Sequence, residues 1–269
     1  MITIIFGLPK IGKTALNTYF AIQHMTRLSD EEVLFTRSRC QQLNEGGFNV
    51  SAPEKHVVYS DINIKYSSAD YLPRVSYDID GYKFGVPNDK FETTFVPPGA
   101  KLFFTEGQRY WNSHKDIPEA VTRAFENHGH YFLDIFIDVQ RPGLINLNIR
   151  ELTSRFIEVL EQKDVLDNYG DPVQTTWKCK QFSSCYEVTK YQSEGRPQNM
   201  GENISFTFNG NIRECYNAFE NYAAFLKGRE GQDFSTATHR NYRITVDEIN
   251  SYNAAHSLLT PQAVKEEEG

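Results

Sequence analysis

The residues Gly7-Leu-Pro-Lys-Ile-Gly12-Lys13-Thr14 constrain this chain more than any other segment, because they fit the pattern G-x-x-x-x-G-K-[ST] of a phosphate-binding loop. A continuous apolar, largely β-branched run from Ile2 to Phe6 precedes the loop and predicts a buried parallel strand. Apolar residues then recur at helical spacing from Thr14 to Leu28, which predicts an amphipathic helix. The sequence therefore predicts the strand, loop and helix that this motif requires.

The chemistry of such a loop gives each residue type a role. Glycines let backbone N–H groups curl around phosphates, and the following helix adds the positive end of its dipole. Lys13 would reach the β- and γ-phosphates, and the Thr14 hydroxyl would coordinate Mg²⁺. We predict a site for ATP and Mg²⁺ formed by Gly7, Leu8, Pro9, Lys10, Ile11, Gly12, Lys13, Thr14 and Ala15.

A hydrolytic site of this type also needs an acidic group at the end of a neighbouring strand. The candidate is Glu106, which follows the apolar strand predicted at Lys101 to Phe104. Glu106 would act as a general base on water, while Thr105, at the position where an aspartate is usual, would hold a metal-bound water by its hydroxyl. The alternative is that Glu106 only caps the strand end or forms a salt bridge.

The next predicted strand, which begins at Leu133, ends in the polar residues Asp138 and Gln140. Ligands of open α/β sheets bind at the carboxyl ends of the strands, so Gln140 is a candidate sensor of the γ-phosphate. Asp138 would supply the carboxylate missing at Thr105, although Asp138 and Gln140 share a face only if the strand stays extended. Ordinary strand-end polarity is the alternative for both.

Three arginines, Arg141, Arg150 and Arg155, follow closely. Any of them would serve as an arginine finger acting in trans if copies of the chain form rings. Ordinary surface arginines are the alternative at each position.

The alternation of strands and helices, with one helix predicted from Glu119 to His128, indicates an α/β fold with a parallel sheet. Clusters of Gly, Pro, Asn, Asp and Ser at about residues 41–99 indicate a β-rich insertion, after which the core sheet is expected to resume. Further predictions are a strand at 155–160, a hairpin of 173–180 with 182–191, and a helix at 212–226. We expect a P-loop NTPase domain at residues 1–227 and a polar C-terminal extension at 228–269.

The charge balance bears on partners and location. The chain has 28 Lys and Arg against 35 Asp and Glu, so no global basic field draws it to nucleic acid or lipid. Local DNA contacts remain open at Arg37, Arg39, Lys178 and Lys180, where solvated surface charge is the alternative. No apolar run is long enough to span a membrane and no signal peptide is readable, so we expect a cytoplasmic location, in the host cell if the protein is viral.

The four cysteines, Cys40, Cys179, Cys185 and Cys215, fit no common zinc spacing and are expected to be reduced thiols.

Several segments, taken in order, resemble the zonular occludens toxin-like (Zot) family of P-loop ATPases, which includes the assembly ATPases of filamentous phages. Besides the phosphate loop, the resemblance rests on Leu102 to Arg109, His128 to Ile135, Asp138 to Ile145 and Asn148 to Glu151, with Tyr216 to Phe225 similar to the family's end segment. It implies a RecA-like core akin to the FtsK/HerA motors and homo-oligomeric rings. It also implies a role in phage or virus assembly, export or genome packaging, with viral structural proteins and DNA as candidate partners.

The sequence departs from the family at two points. Thr105 stands where the family has aspartate. Filamentous phage members carry a transmembrane helix after the ATPase domain, whereas none is predicted here, which leaves only peripheral attachment at the inner membrane open. We expect an Mg²⁺-dependent ATPase motor that uses Lys13, Thr14, Glu106 and Gln140. The alternative is a nucleotide-binding scaffold or switch that hydrolyses little because of Thr105.

Overall fold

The computed structural model describes residues 1–26, 37–38, 41–42, 44–45, 58–68, 71–81, 84–85, 94–96 and 99–216. All of them belong to one compact unit, Met1–Gly231. The predicted extension at 228–269 lies outside the described residues, as does most of the helix predicted at 212–226.

The described strands are β1 (Ile2–Phe6), β2 (Val58–Ser60), β3 (Lys65–Ser68), β4 (Tyr71–Val75), β5 (Tyr77–Asp78), β6 (Phe84–Gly85), β7 (Thr94–Phe95), β8 (Lys101–Phe104), β9 (Asp134–Val139), β10 (Arg155–Leu166), β11 (Pro172–Phe182) and β12 (Glu202–Asn209). The described helices are α1 (Lys13–Thr26), α2 (Glu119–Glu126), α3 (Leu147–Leu152) and α4 (Cys185–Ser193). Short 3₁₀ turns lie at Gly107–Arg109, Pro142–Leu144 and Ile212–Cys215.

Eight of these strands form one sheet in the order β12-β11-β10-β1-β9-β8-β2-β5. The six from β10 to β5 are parallel to their neighbours. β11 and β12 extend the β10 edge as an antiparallel addition. Since parallel strands end at the same edge of a sheet, the carboxyl ends of β1, β9 and β8 lie side by side. The predicted α/β fold, with a mostly parallel sheet and flanking helices, is confirmed.

Alternation along the strands builds a separate core on each face of the sheet. Ile5, Phe103 and Phe136 point to the face on which α1 packs through Leu16 and Phe20. The opposite core takes Ile4, Phe104 and Ile137 from the sheet, together with buried residues of α2, α3 and α4. The phosphate loop therefore connects the central strand to a helix that is anchored directly on the sheet.

The predicted hairpin of 173–180 with 182–191 is wrong. β11 pairs with the long β10, while Cys185–Ser193 is the helix α4. Ser184 caps that helix, since its hydroxyl accepts from Glu187 N at 3.2 Å, and the Glu187 carboxylate accepts from Ser183 N at 2.8 Å. The spacing Ser-x-x-Glu is a helix-start signal, which here outweighs the β-favouring residues that follow it.

The region at 41–99 contains strands of the main sheet and strands that form two smaller sheets. β2 and β5 lie at the edge of the eight-stranded sheet. The prediction that the main sheet resumes only at Lys101 is therefore wrong, because this region already contributes two of its strands. β3 with β4, and β6 with β7, form two separate two-stranded sheets. The domain limits at 227 and 228 stay predictions.

Among the described helices, none is long and apolar enough to cross a membrane. Cys179 and Cys215 are buried free thiols, and burial raises the pKa of each to about 12.

Phe125 on α2 offers a test of the packing in the core that contains α2, α3 and α4. Its ring is buried at 4.9 Å from the Trp111 ring and 5.4 Å from the Phe84 ring. Phe125→Ala leaves a cavity there and is expected to lower the free energy of unfolding by about 3–5 kcal/mol. Tyr186→Ala is the matched control, because Tyr186 is 74% exposed on α4. Urea unfolding measures both, and equal losses would contradict this packing.

Candidate functional site

The phosphate loop runs from the end of β1 to the start of α1, and its backbone needs two glycines. Gly7 has φ +151° and Gly12 has φ +92°. A Cβ on Gly7 would stand 2.8 Å from the Val159 carbonyl oxygen, and one on Gly12 would stand 1.8 Å from Gln162 Oε1. A side chain at residue 7 would therefore clash with the β10 backbone, whereas one at residue 12 would displace the Gln162 side chain; the positive φ values favour glycine at both positions.

Lys13 folds back over the loop. Its Nζ donates a hydrogen bond to the Leu8 carbonyl oxygen at 2.8 Å. Burial lowers the pKa of the ammonium, while the nearby carboxylates of Asp138 and Glu106 act in the opposite direction. The positive charge thus lies inside the loop, in the range of both acidic groups, where phosphates would be held.

Asp138 lies at the carboxyl end of β9 and is buried. Its Oδ1 accepts a hydrogen bond from the backbone N–H of Glu106 at 2.8 Å. Its Oδ2 is also buried and makes no hydrogen bond of ordinary geometry within the described residues. Burial raises the pKa of this carboxyl to about 6, opposed by the Glu106 N–H, the Thr14 hydroxyl and Lys13. The carboxylate therefore lies between the phosphate loop and the end of β8.

Glu106 adopts a left-handed backbone conformation, with φ 47° and ψ 49°. A residue other than glycine pays a conformational cost there, and such strain concentrates at functional sites. Two hydrogen bonds hold the peptide: its N–H donates to Asp138, and its carbonyl oxygen accepts from Arg109 N at 2.8 Å. The side chain is half-buried and close enough to Lys13 to influence its pKa.

Thr105 is hydrogen-bonded to a carboxylate that no sequence motif indicated. Asp61, just after β2, accepts from Thr105 N at 2.9 and 3.0 Å, and its oxygens lie 3.1 Å from the Thr105 hydroxyl. Burial raises the pKa of Asp61 to about 8; Asp138 adds to the shift, while hydrogen bonds from Thr105 and Tyr110 oppose it. No local sequence signal marks this pairing, since 44 residues separate the two partners.

Asn17 ties the helix of the loop to the end of β8. This buried side chain on α1 donates from Nδ2 to the Phe104 carbonyl oxygen at 3.1 Å. Because Phe104 immediately precedes Thr105 and Glu106, the bond fixes the acidic strand end relative to α1 and to the phosphate loop at its start.

Gln140 does not share a face with Asp138. β9 ends at Val139, and Gln140 is exposed. With Arg141, Arg196 and the loop residues Gly7 to Pro9, Gln140 lines a cleft of about 330 Å³. Gln140 and Arg141 therefore lie beside the phosphate loop, and the sensor role of Gln140 stays a prediction.

The other two arginines make contacts within their own chain. Arg150 Nε donates to the Ile145 carbonyl oxygen at 3.0 Å. Arg155 Nε donates to Gln181 Oε1 at 2.7 Å, and its guanidinium lies 5.8 Å from the centre of the Phe20 ring. Arg155 is the first residue of β10 and lies at the amino-terminal ends of the parallel strands, whereas the phosphate loop lies at their carboxyl ends. A role in trans stays a prediction for all three arginines.

The candidate DNA contacts differ in accessibility. Lys178 is exposed and pairs with Glu161 at 3.1 Å. Lys180 is buried, with Nζ donating to the carbonyl oxygens of Gln198 and Met200 at 2.6 Å each, so its ammonium is held by its own chain. Arg37 is exposed, and Arg39 lies outside the described residues.

The residues around Thr14 fit a hard divalent cation. A hydroxyl oxygen and a carboxylate with one unsatisfied buried oxygen are the donor types that Mg²⁺ prefers, and Mg²⁺ takes only one or two protein ligands beside phosphate and water. Within the part of the chain that the structure describes, no cluster of three or more His, Cys, Asp or Glu side chains could hold a metal by itself. The arrangement therefore suits a cation that arrives with phosphates.

No protein-family model matches this sequence, and no curated protein matches it. Among solved structures, the chain is similar to the N-terminal domain of zonular occludens toxin from Neisseria meningitidis, at 18% identity and a TM-score of 0.46, covering 80% of this chain and 98% of that one. It is also similar to the genome packaging NTPase B204 from Sulfolobus turreted icosahedral virus 2 in complex with ATP-gammaS. There the identity is 11% and the TM-score 0.36, with 68% of this chain and 97% of that one covered.

The Asp61 carboxyl predicts a pH dependence of stability. Its folded pKa of about 8 lies above the ordinary value of 3.8, so the folded chain holds a proton that the unfolded chain loses. Its contribution to stability is therefore full below about pH 4 and declines as the pH rises to about 8. Asp61→Asn mimics the protonated form and should remove this decline.

Urea unfolding between pH 4 and 8 measures the decline in the free energy of unfolding, with Asp116→Asn, at an exposed position, as the control. A wild-type stability that rises relative to Asp61→Asn across this window would contradict the buried, protonated Asp61.

Proposed function

We propose that this chain is a Mg²⁺-dependent NTPase that hydrolyses ATP. The observation that carries the proposal is the meeting of Lys13, Thr14, Asp138 and Glu106 where β1, β9 and β8 end together. Two hydrogen bonds hold the strained Glu106 there, and the Asp138 carboxylate stands between it and the loop.

The residues divide the chemistry among them. The backbone N–H groups of the loop and the Lys13 ammonium would bind the β- and γ-phosphates, and Thr14 would hold Mg²⁺ by its hydroxyl. The cation neutralises charge on the phosphate oxygens when bound. The Glu106 carboxylate would take a proton from water as the water oxygen attacks the γ-phosphorus. The bond from that phosphorus to the β–γ bridging oxygen breaks, and ADP leaves with the electron pair.

The biological setting is proposed on the sequence motifs that resemble the Zot family. They favour a motor in phage or virus assembly, export or genome packaging that works as a homo-oligomeric ring, with viral structural proteins or DNA as partners. Arg141 is the favoured trans arginine, since it is exposed beside the loop. The cytoplasmic location stays a prediction.

A second function, a nucleotide-binding scaffold or switch with little hydrolysis, is favoured by one observation. Thr105 gives its hydroxyl to Asp61, so the position where an aspartate is usual brings no charge to the site. Turnover measurements separate the two functions, because a scaffold would bind nucleotide tightly without cleaving it.

Lys13→Ala tests whether the phosphate loop supports ATP hydrolysis. Loss of the ammonium should lower ATP turnover at least about 10²-fold, because charge that develops on the phosphates is no longer stabilised. Phosphate release in the presence of Mg²⁺, with and without single- and double-stranded DNA, measures it. The exposed Lys115→Ala should keep wild-type turnover. Equal turnover in wild type and Lys13→Ala would contradict the assignment of the loop.

Glu106→Gln tests the general base. The amide retains the size of the side chain but cannot accept the proton, so turnover should fall about 10²–10⁴-fold while ATP binding persists. Isothermal titration and single-turnover phosphate release read the two effects separately. The exposed Glu126→Gln on α2 is the matched control. Unchanged turnover in Glu106→Gln would remove the base assignment.

A further inference from the structure

One oxygen of the site is left unsatisfied by its own chain. Asp138 Oδ2 is buried and makes no hydrogen bond of ordinary geometry within the described residues, while Oδ1 of the same carboxylate is bonded to Glu106 N. Buried polar atoms almost always have partners, because an unsatisfied one costs free energy. The Thr14 hydroxyl lies close enough to favour the charged carboxylate. Asp138 Oδ2 is therefore available to a ligand that also contacts Thr14.

Thr105, at the end of β8, does not supply a carboxylate for the metal. Thr105 lies where an aspartate is usual, but both its N–H and its hydroxyl are directed at Asp61. An aspartate introduced at residue 105 would stand against the buried Asp61 carboxyl, and two carboxylates at such a distance cannot both ionise readily. The Asp61–Thr105 pair therefore disfavours a metal-binding carboxylate at residue 105.

We infer that Asp138, one strand nearer to the phosphate loop, replaces the missing Walker B aspartate as the carboxylate of the Mg²⁺ shell. This inference rests on the proposed function. Oδ2, which has no donor of its own, would contact the cation directly or through one of its waters, while Oδ1 holds the backbone of the general base Glu106. One carboxylate thus couples the metal position to the orientation of Glu106.

The charges in the site agree with a cation beside Asp138 and phosphates beside Lys13. Asp138 and Glu106 both lie in the range of Lys13, so the nucleotide-free site contains one ammonium and two carboxylates. A divalent cation adds positive charge beside Asp138 at the moment when phosphates bring negative charge to Lys13. The buried carboxylate is then compensated on the side where the chain itself offers no donor.

The test compares Asp138→Asn with Thr105→Val, using titration of a non-hydrolysable ATP analogue in Mg²⁺ and in EDTA. The asparagine retains an acceptor for Glu106 N but removes the charge. Asp138→Asn should lose about 10- to 100-fold of the affinity gained from Mg²⁺. Its affinity in EDTA should be equal to or tighter than wild type, which also shows that the phosphate loop is folded. Thr105→Val should retain the wild-type ratio of the two affinities.

Mn²⁺ in place of Mg²⁺ gives a second readout that does not depend on turnover. Electron paramagnetic resonance of Mn²⁺ with the analogue should show a changed metal environment in Asp138→Asn and an unchanged one in Thr105→Val. A wild-type Mg²⁺ effect in Asp138→Asn, or its loss in Thr105→Val, would overturn the inference and leave the proposed function standing. Absence of nucleotide binding or of any Mg²⁺ effect in the wild type would overturn both.

Discussion

A single hydrogen bond, from the backbone N–H of Glu106 to Asp138 Oδ1, joins the two strand ends that face the phosphate loop. It holds the backbone of Glu106, which is in the left-handed conformation, and it fixes one oxygen of a carboxylate that lies near the Thr14 hydroxyl. The parallel order β1, β9, β8 makes the contact geometrically available, because it stacks three carboxyl ends in register. The rest of the site is arranged around this bond.

The electrostatics of the site reflect a separation of two acidic groups. Asp61 is buried next to Thr105 and has its pKa raised to about 8, so at neutral pH it is largely a neutral hydrogen-bonding group. Asp138 is equally buried, but the Glu106 N–H, Thr14 and Lys13 hold its pKa at about 6, so it is largely charged at the same pH. Similar burial thus produces a structural carboxyl in one place and a charged one in the other, set by the donors around each.

The sequence predicted the parts of the fold and site whose causes are local. Short patterns of residue types predict the phosphate loop, β1, α1 and the acidic residue after β8. What escaped it depends on contacts between distant segments: the pairing of Asp61 with Thr105, the burial of Asp138 and the antiparallel addition of β12. The segment at 182–191 was misjudged because its aromatic and β-branched residues favour strands, whereas the Ser184 cap and packing of Val188 and Tyr191 favour the helix. The sequence predicted a shared face for Asp138 and Gln140 only if the strand stays extended, and the strand ends at Val139, one residue before Gln140.

The proposed cation position lies between the Thr14 hydroxyl and the Asp138 carboxylate. A crystal structure of the protein with Mg²⁺ and a non-hydrolysable ATP analogue tests it most directly. We predict phosphates in the loop, and a cation about 2.0–2.1 Å from the Thr14 hydroxyl oxygen that contacts Asp138 directly or through one water. A cation bound away from Asp138, or a nucleotide bound outside the Gly7–Thr14 loop, would contradict it.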